Sequence, residues 1–297
     1  MFKNKAPLYV MVFGSLFGAT ISFAKLGALN GLDPLTLVFW QMLIGGILLW
    51  LTAKVLSQPV RTDIRHTRYY LIAGLLGNAV PTTLAFMASV NIGAALTGLV
   101  YPLSPVFTFA FSLLIGIDKA SPLKITGMIS GLVGAFLIVL PPALDSTSDG
   151  TQNISAIWLG LAFLVPIFLG LGNIYRSMDW PTGTKPIPLA SGMLIATSLL
   201  LLPVLLFSDA QVWPDFNNNI AITVFLGNIV ISYVGFIFYF ELQRIAAPVY
   251  FSQISYFITI TTLIFGVLLF GESIKWYMIP SIVLIFAGLY LVSKKQN

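Results

Sequence analysis

Ten apolar stretches follow one another along this chain, and the last five repeat the first five. The best-matched positions lie 150 residues apart: Gly77 and Asn78 answer Gly227 and Asn228, and Thr82, Ala85 and Ser89 answer Ser232, Gly235 and Tyr239. Further along, Thr97, Tyr101, Ser104 and Gly116 match Ser252, Tyr256, Thr259 and Gly271, and Asp118 and Gly134 match Glu272 and Gly288. Each copy holds an odd number of spans, so the second must enter a membrane upside down relative to the first. The expected fold class is an all-α polytopic membrane protein with ten transmembrane helices arranged as two inverted five-helix repeats. Their expected limits are residues 1–145 and 150–297.

Composition excludes the soluble alternative. Hydrophobic residues make up 58% of the chain and charged ones 8%, against roughly 25% charged in a soluble domain. The chain has no cysteine, which removes disulfides, iron–sulfur clusters and thiol catalysis. His66 is its single histidine and is placed in a basic loop with Arg61, Arg65 and Arg68, so a histidine metal site or triad is not expected. No GxxxxGK[ST] loop, HExxH or GxSxG occurs, which leaves ATP hydrolysis and the common hydrolase chemistries without their residues. The reading is of a protein that is not an enzyme and carries no metal or other cofactor.

The expected spans run 8–25, 34–56, 69–89, 92–117 and 122–141 in the first copy, and 154–175, 188–207, 220–242, 249–270 and 276–292 in the second. Each is close to the roughly 20 residues that a bilayer requires. With the N-terminus in the cytoplasm, thirteen basic residues fall on the inner side: Lys3, Lys5, Lys54, Arg61, Arg65, Arg68, Lys119, Lys124, Arg176, Lys185, Arg244, Lys294 and Lys295. Only Lys25 and Lys275 fall outside. That bias places both termini in the cytoplasm, and it accounts for the net charge of +5 without a nucleic-acid partner. Lys3 and Lys5 before an apolar run resemble the start of a signal peptide, but the run has a counterpart in the sixth span, and a retained helix is expected.

Residues at i, i+4, i+7 and i+11 share one helix face. Asn78, Thr82, Ala85 and Ser89 do so in the third span, and Asn228, Ser232, Gly235 and Tyr239 in the eighth. Thr97, Tyr101, Ser104 and Thr108 line the fourth; Ser252, Ser255, Thr259 and Thr262 line the ninth, with Gln253 and Tyr256 beside them. Single Ser and Thr side chains in membrane helices mostly bond to carbonyls or neighbouring helices, for about 0.6–2 kcal/mol each. Four such stripes together point to a shared polar cavity between spans three, four, eight and nine, with contributions from one and six. Binding at mid-membrane between two repeats is how many secondary transporters are built. The substrate-binding set expected is Trp40, Asn78, Thr82, Tyr101, Ser104, Asn228, Ser232, Tyr239, Gln253 and Tyr256, with Asn173 and Tyr175 as weaker members. Pro102 and Pro105 beside Tyr101 free carbonyls at depth and suggest a gate or binding surface there.

No acid lies at the core of any span, so central proton coupling has no candidate. Lys25 and Arg176, at C-terminal ends of their spans, are expected to complement the helix dipole or snorkel outward. Asp118 and Glu272 are expected to cap the helices that follow them.

Ser104-Pro105-Val106-Phe107 through Leu114-Ile115-Gly116 and Asp118, then Gly127 to Val139, closes the first copy. Leu263 through Phe270-Gly271-Glu272, then Pro280 to Val292, closes the second. With ten spans in two copies, these segments resemble the drug/metabolite transporter superfamily, specifically its EamA-domain members, over nearly the whole chain. Gly14 to Lys25 resembles the family's opening helix. The first copy departs from the family's Gly-Glu with Gly116-Ile117-Asp118, and the opening helix lacks the embedded glutamate of the smaller multidrug relatives.

The resemblance implies a bacterial inner-membrane carrier, monomer or homodimer, often an exporter of amino acids or related metabolites by alternating access. Its partners would be a small neutral or zwitterionic substrate and the lipid bilayer. A multidrug exporter is the alternative within transport; a lipid scramblase or membrane accessory subunit is the alternative outside it.

Overall fold

The computed structural model describes residues 6–119, 121–144, 156–214 and 218–293, and these are helical with no strand. The first half comprises α1 (Ala6–Ala28), α2 (Pro34–Val55), α3 (Ile64–Ile92), α4 (Ala94–Leu114) and α5 (Pro122–Leu144). The second comprises α6 (Ala156–Met178), α7 (Pro186–Leu206), α8 (Asn219–Ile245), α9 (Pro248–Phe270) and α10 (Met278–Ser293). Among the described residues, eight of these helices are long and apolar enough to cross a membrane. The exceptions, α5 and α10, show shorter apolar stretches over Pro122–Leu137 and Met278–Gly288.

Local chemistry sets the helix ends. Asp33 accepts the Leu35 and Thr36 N–H groups ahead of Pro34, and Asp63 and Asn218 cap α3 and α8 in the same way. These side chains satisfy amides that the first helical turn leaves open. Gly93, at φ +92°, breaks the chain between α3 and α4; few residues other than glycine adopt that conformation. Helix α3 begins earlier than the sequence suggests, because Asp63 starts it. His66 therefore lies not in a loop but in the first turn of α3, buried, with its Nε2 2.8 Å from Thr184 Oγ1.

Three of these helices depart from α geometry, α9 by a turn at Ser252–Gln253 between Pro248–Phe251 and Ile254–Phe270. In α3, Leu75–Ala79 forms a π turn just before Pro81. Pro81 has no N–H, and its ring crowds the carbonyl of Gly77 four residues back; the wider turn accommodates both. In α4, Tyr101–Leu103 tightens to a 3₁₀ turn between Val100 and Pro105, with Pro102 inside it.

The main packing partners are α2 with α7, α5 with α10, α4 with α9, α1 with α8 and α9, and α6 with α3 and α4. Exchanging every helix for the one five places away maps this set onto itself. Equivalent helices run antiparallel where they meet. Ser191 of α7 donates to the Gly46 carbonyl of α2 at 2.9 Å, while Thr36, at the start of α2, donates to Gln211, beyond the end of α7. In the α5–α10 pair, Ser130 donates to the Leu284 carbonyl at 2.8 Å. Gly288 lies against Gly127 and Gly131, and Gly134 against Ser281 and Ile285. Such small-residue seams let helix backbones approach without a hydrophobic driving force between them.

A Cβ at Gly288 would collide with the Gly127 carbonyl and the Gly131 nitrogen, whereas Gly160 has nothing within 4 Å. Gly288→Val should therefore destabilise the protein by about 1–3 kcal/mol, the usual cost of overpacking. Gly160→Ala should be neutral or slightly stabilising. Melting temperatures of both variants in detergent check this.

Candidate functional site

A small cavity of about 40 Å³ lies inside the bundle. Its wall comes from α3, α4, α8 and α9, which carry the polar stripes, and from α1 and α6, the expected contributors. Three belong to each half, and the half-exchange described above maps the set onto itself. Phe13, Phe17, Leu169, Ile254 and Ile258 make much of the wall apolar. Waters need roughly 10–15 Å³ each, so a few would fit; binding pockets for organic ligands run to about 300–1,000 Å³.

Of the expected binding residues, Asn78, Tyr101, Ser104 and Tyr239 line the cavity, as does the weaker candidate Asn173. The π turn carries Gly77 and Asn78 into the wall, and the 3₁₀ turn carries Tyr101. Tyr239 closes an aromatic cluster, with ring centroids 4.7 Å from Phe13 and 4.8 Å from Phe251. Six expected residues lie outside the lining. Trp40 donates to the Val212 carbonyl at 2.7 Å and stacks near Trp213. Thr82, Asn228 and Ser232 are buried between helices, with Asn228 Nδ2 donating to its own Val224 carbonyl at 3.0 Å. Gln253 is half-buried, and Tyr256 packs on Phe286 at 4.8 Å.

Most stripe hydroxyls are already satisfied. Thr97 donates to Gly93, Thr108 to Ser104, Ser255 to Ser252 and Thr262 to Ile258, all carbonyls of their own helices. Two cavity-lining donors are not: Asn78 Nδ2 and the Tyr101 hydroxyl are buried with no hydrogen-bond partner.

Arg176 departs most from the sequence reading. It does not snorkel; it is 0% exposed. Its Nη2 donates to Asn173 Oδ1 at 2.7 Å and its Nε to Gln243 Oε1 at 3.3 Å, while Nη1 has no partner. The amide orientations are fixed from behind, because Asn173 Nδ2 donates to Thr108 and Gln243 Nε2 to Ser177. The guanidinium lies over the rings of Tyr239 and Phe251, 5.2 and 5.9 Å from their centroids. It fills the space that a side chain at Gly77 would occupy and touches Gly172. Gly172, one turn before Arg176, was the available sequence signal, since a bare backbone patch there can admit the head group.

At the opposite end of the bundle Lys25 also turns inward. Its Nζ donates to Glu272 Oε1 at 2.5 Å. The same carboxylate accepts the Ala94 and Ala95 amides at 2.9 and 2.8 Å. Glu272 thus caps α4 of the other half, not the helix that follows it in sequence. A second cavity, of about 420 Å³, borders this cluster. Asp118, the counterpart of Glu272, instead binds Lys124 at 2.8 and 2.9 Å.

The EamA-like transporter family matches the chain twice, at residues 4–140 and 156–294. The chain belongs to the EamA-like transporter family. This EamA-like protein is therefore a multi-pass membrane transporter, whose partners are a bilayer and a small-molecule substrate. It is similar to an uncharacterized transporter of Clostridium kluyveri, 22% identical over 307 residues covering 99% of this chain and 96% of the relative. It is also similar to a WAT1-related protein of Arabidopsis thaliana, 24% identical over 291 residues, 88% of this chain and 78% of the relative. A crystal structure that is 17% identical superposes with a TM-score of 0.66, over 98% of this chain and 97% of the other, and so shares the fold.

The Glu272 contacts predict a specific failure of charge exchange. Glu272→Ala should cost about 2–3 kcal/mol through the lost cap and the stranded Lys25. The double exchange Lys25→Glu with Glu272→Lys should not restore stability, because a lysine cannot accept the Ala94 and Ala95 amides. Thermal unfolding of the two variants beside the wild type measures both effects.

Proposed function

We propose that this EamA-like protein is a secondary transporter that moves small neutral or zwitterionic metabolites, amino acids or related compounds, by alternating access. Net export across the inner (plasma) membrane is the direction proposed, with the protein acting as a monomer or homodimer. The observation that carries this reading is the small central cavity, walled by three helices from each half. A solute held there would contact both halves at once, and relative movement of the halves would open the cavity toward one side or the other. At about 40 Å³ the cavity must widen to take a solute, and movement of the halves would supply the room.

The units proposed are residues 1–145 and 150–297, inverted relative to one another, with ten crossings and both termini cytoplasmic. The antiparallel α2–α7 and α5–α10 pairs support the inversion, and the basic-residue bias supports the orientation. Because the chain lacks cysteine, single cysteines at Lys5 and Gln296 give a clean topology test. Both should react with impermeant maleimide only from the cytoplasmic face; labelling from opposite faces would refute the arrangement.

Counterflow of labelled amino acids in proteoliposomes tests the activity. Tyr101→Phe and Asn78→Leu should each slow it by about tenfold, the loss of one hydrogen bond worth roughly 1–1.5 kcal/mol. Because Asn78 Nδ2 and the Tyr101 hydroxyl have no protein partner, the same variants should melt at or above the wild-type temperature. A fall in stability together with flux would show that they are packing residues.

A further inference from the structure

We propose that Arg176 is the docking point for a substrate carboxylate, so that the cargo is a zwitterionic amino acid with an apolar side chain. This rests on the transport reading above and narrows its substrate class.

A guanidinium withdrawn from water inside a membrane protein ordinarily has an anionic partner, because an uncompensated buried charge is costly. Among the described residues no carboxylate lies within ion-pair distance of Arg176. The acids near its end of the bundle are engaged elsewhere: Asp179 accepts from Arg68 and Tyr175, and Glu241 pairs with Arg244 at 2.7 Å. The two side chains that accept from Arg176, Asn173 and Gln243, supply neutral amide oxygens. The aromatic faces of Tyr239 and Phe251 and the end of the α6 dipole offset part of the charge. Nη1 still has no acceptor.

The other end of the bundle shows what is missing. Lys25, in the last turn of α1, is matched by Arg176, in the last turn of α6. Lys25 has Glu272, whereas Asp118, which matches Glu272, is bound to Lys124. The pairing carboxylate is thus present at one end and withdrawn at the other, where the central cavity lies beside the cation.

The surrounding groups favour an acceptor-rich ligand. Arg176 Nη1, Asn78 Nδ2 and the Tyr101 hydroxyl are all donors without acceptors. Asn78 and Tyr101 line the cavity, and the guanidinium lies against Gly77 of its wall with no side chain between. An ionised carboxylate only accepts, through two oxygens and about four lone-pair sites, and a guanidinium holds it with paired N–H groups. The rest of the wall, with Phe13, Leu169, Ile254 and Ile258, suits an apolar remainder.

The test uses the full-length protein with leucine, leucinamide and 4-methylpentanoate, read by thermal protection in detergent and by flux in proteoliposomes. Leucine and 4-methylpentanoate should protect and move at least tenfold better than the amide. Arg176→Gln should abolish that preference, and Arg176→Lys should retain part of it. Gln243→Glu, which supplies an internal carboxylate 3.3 Å from the guanidinium, should raise the melting temperature and abolish protection by the acids. It keeps the test decisive if Arg176→Gln fails to fold. Equal handling of acid and amide by the wild type, equal protection by chloride, or undiminished acid binding in Gln243→Glu would overturn the proposal. If amides or other solutes move but acids do not, only this inference fails. If no solute of any class moves, the transport reading fails with it.

Discussion

Hydrocarbon offers no hydrogen bonds, so every polar group that this chain carries into its spans must be answered by protein or by cargo. Most are answered at once. Hydroxyls such as Thr97, Thr108 and Thr262 fold back on carbonyls of their own helices. Ser130, Ser191 and Thr259 bridge to neighbouring helices and hold the antiparallel pairs together. Among the groups that remain unanswered, Asn78 Nδ2 and the Tyr101 hydroxyl face one cavity and Arg176 Nη1 lies beside it.

The two ends of the bundle meet the same demand differently. At the Lys25 end a full charge pair doubles as a helix cap, tying α1, α4 and α9 into one knot. At the Arg176 end the cation rests on neutral amides and aromatic faces. A near-symmetric fold thus carries an asymmetric charge distribution. The one-residue difference between Gly271-Glu272 and Gly116-Ile117-Asp118 accompanies it: the extra residue takes Asp118 to Lys124.

Much of the architecture was legible in the sequence because a membrane fixes both helix length and apolar content. Side-chain spacing pointed to four of the six helices that wall the cavity, α3, α4, α8 and α9. Individual residues were less legible. Asn78 and Asn228 occupy matching positions, yet Asn78 reaches the cavity on a π turn forced by Pro81, and Asn228 sits in an unbroken α8 that turns it toward Val224. Spacing rules assume a regular helix and fail where one is not regular. Arg176 was misplaced for another reason. Its depth depends on Gly77 of a different helix, a tertiary fact that no local window contains.

Helix α1 finds its main neighbours in α8 and α9, and the Lys25–Glu272 bond closes over 247 residues of chain. At about 5–20 residues per second of synthesis, the partner of Lys25 emerges on the order of ten to fifty seconds after Lys25 itself. Throughout that interval the glycine face of the first helix, Gly14 and Gly18, has only lipid, the insertion machinery or early helices against it. Assembly of this protein is accordingly a late event, sealed when the last fifth of the polypeptide arrives and claims a helix that has been waiting in the bilayer since the start of translation.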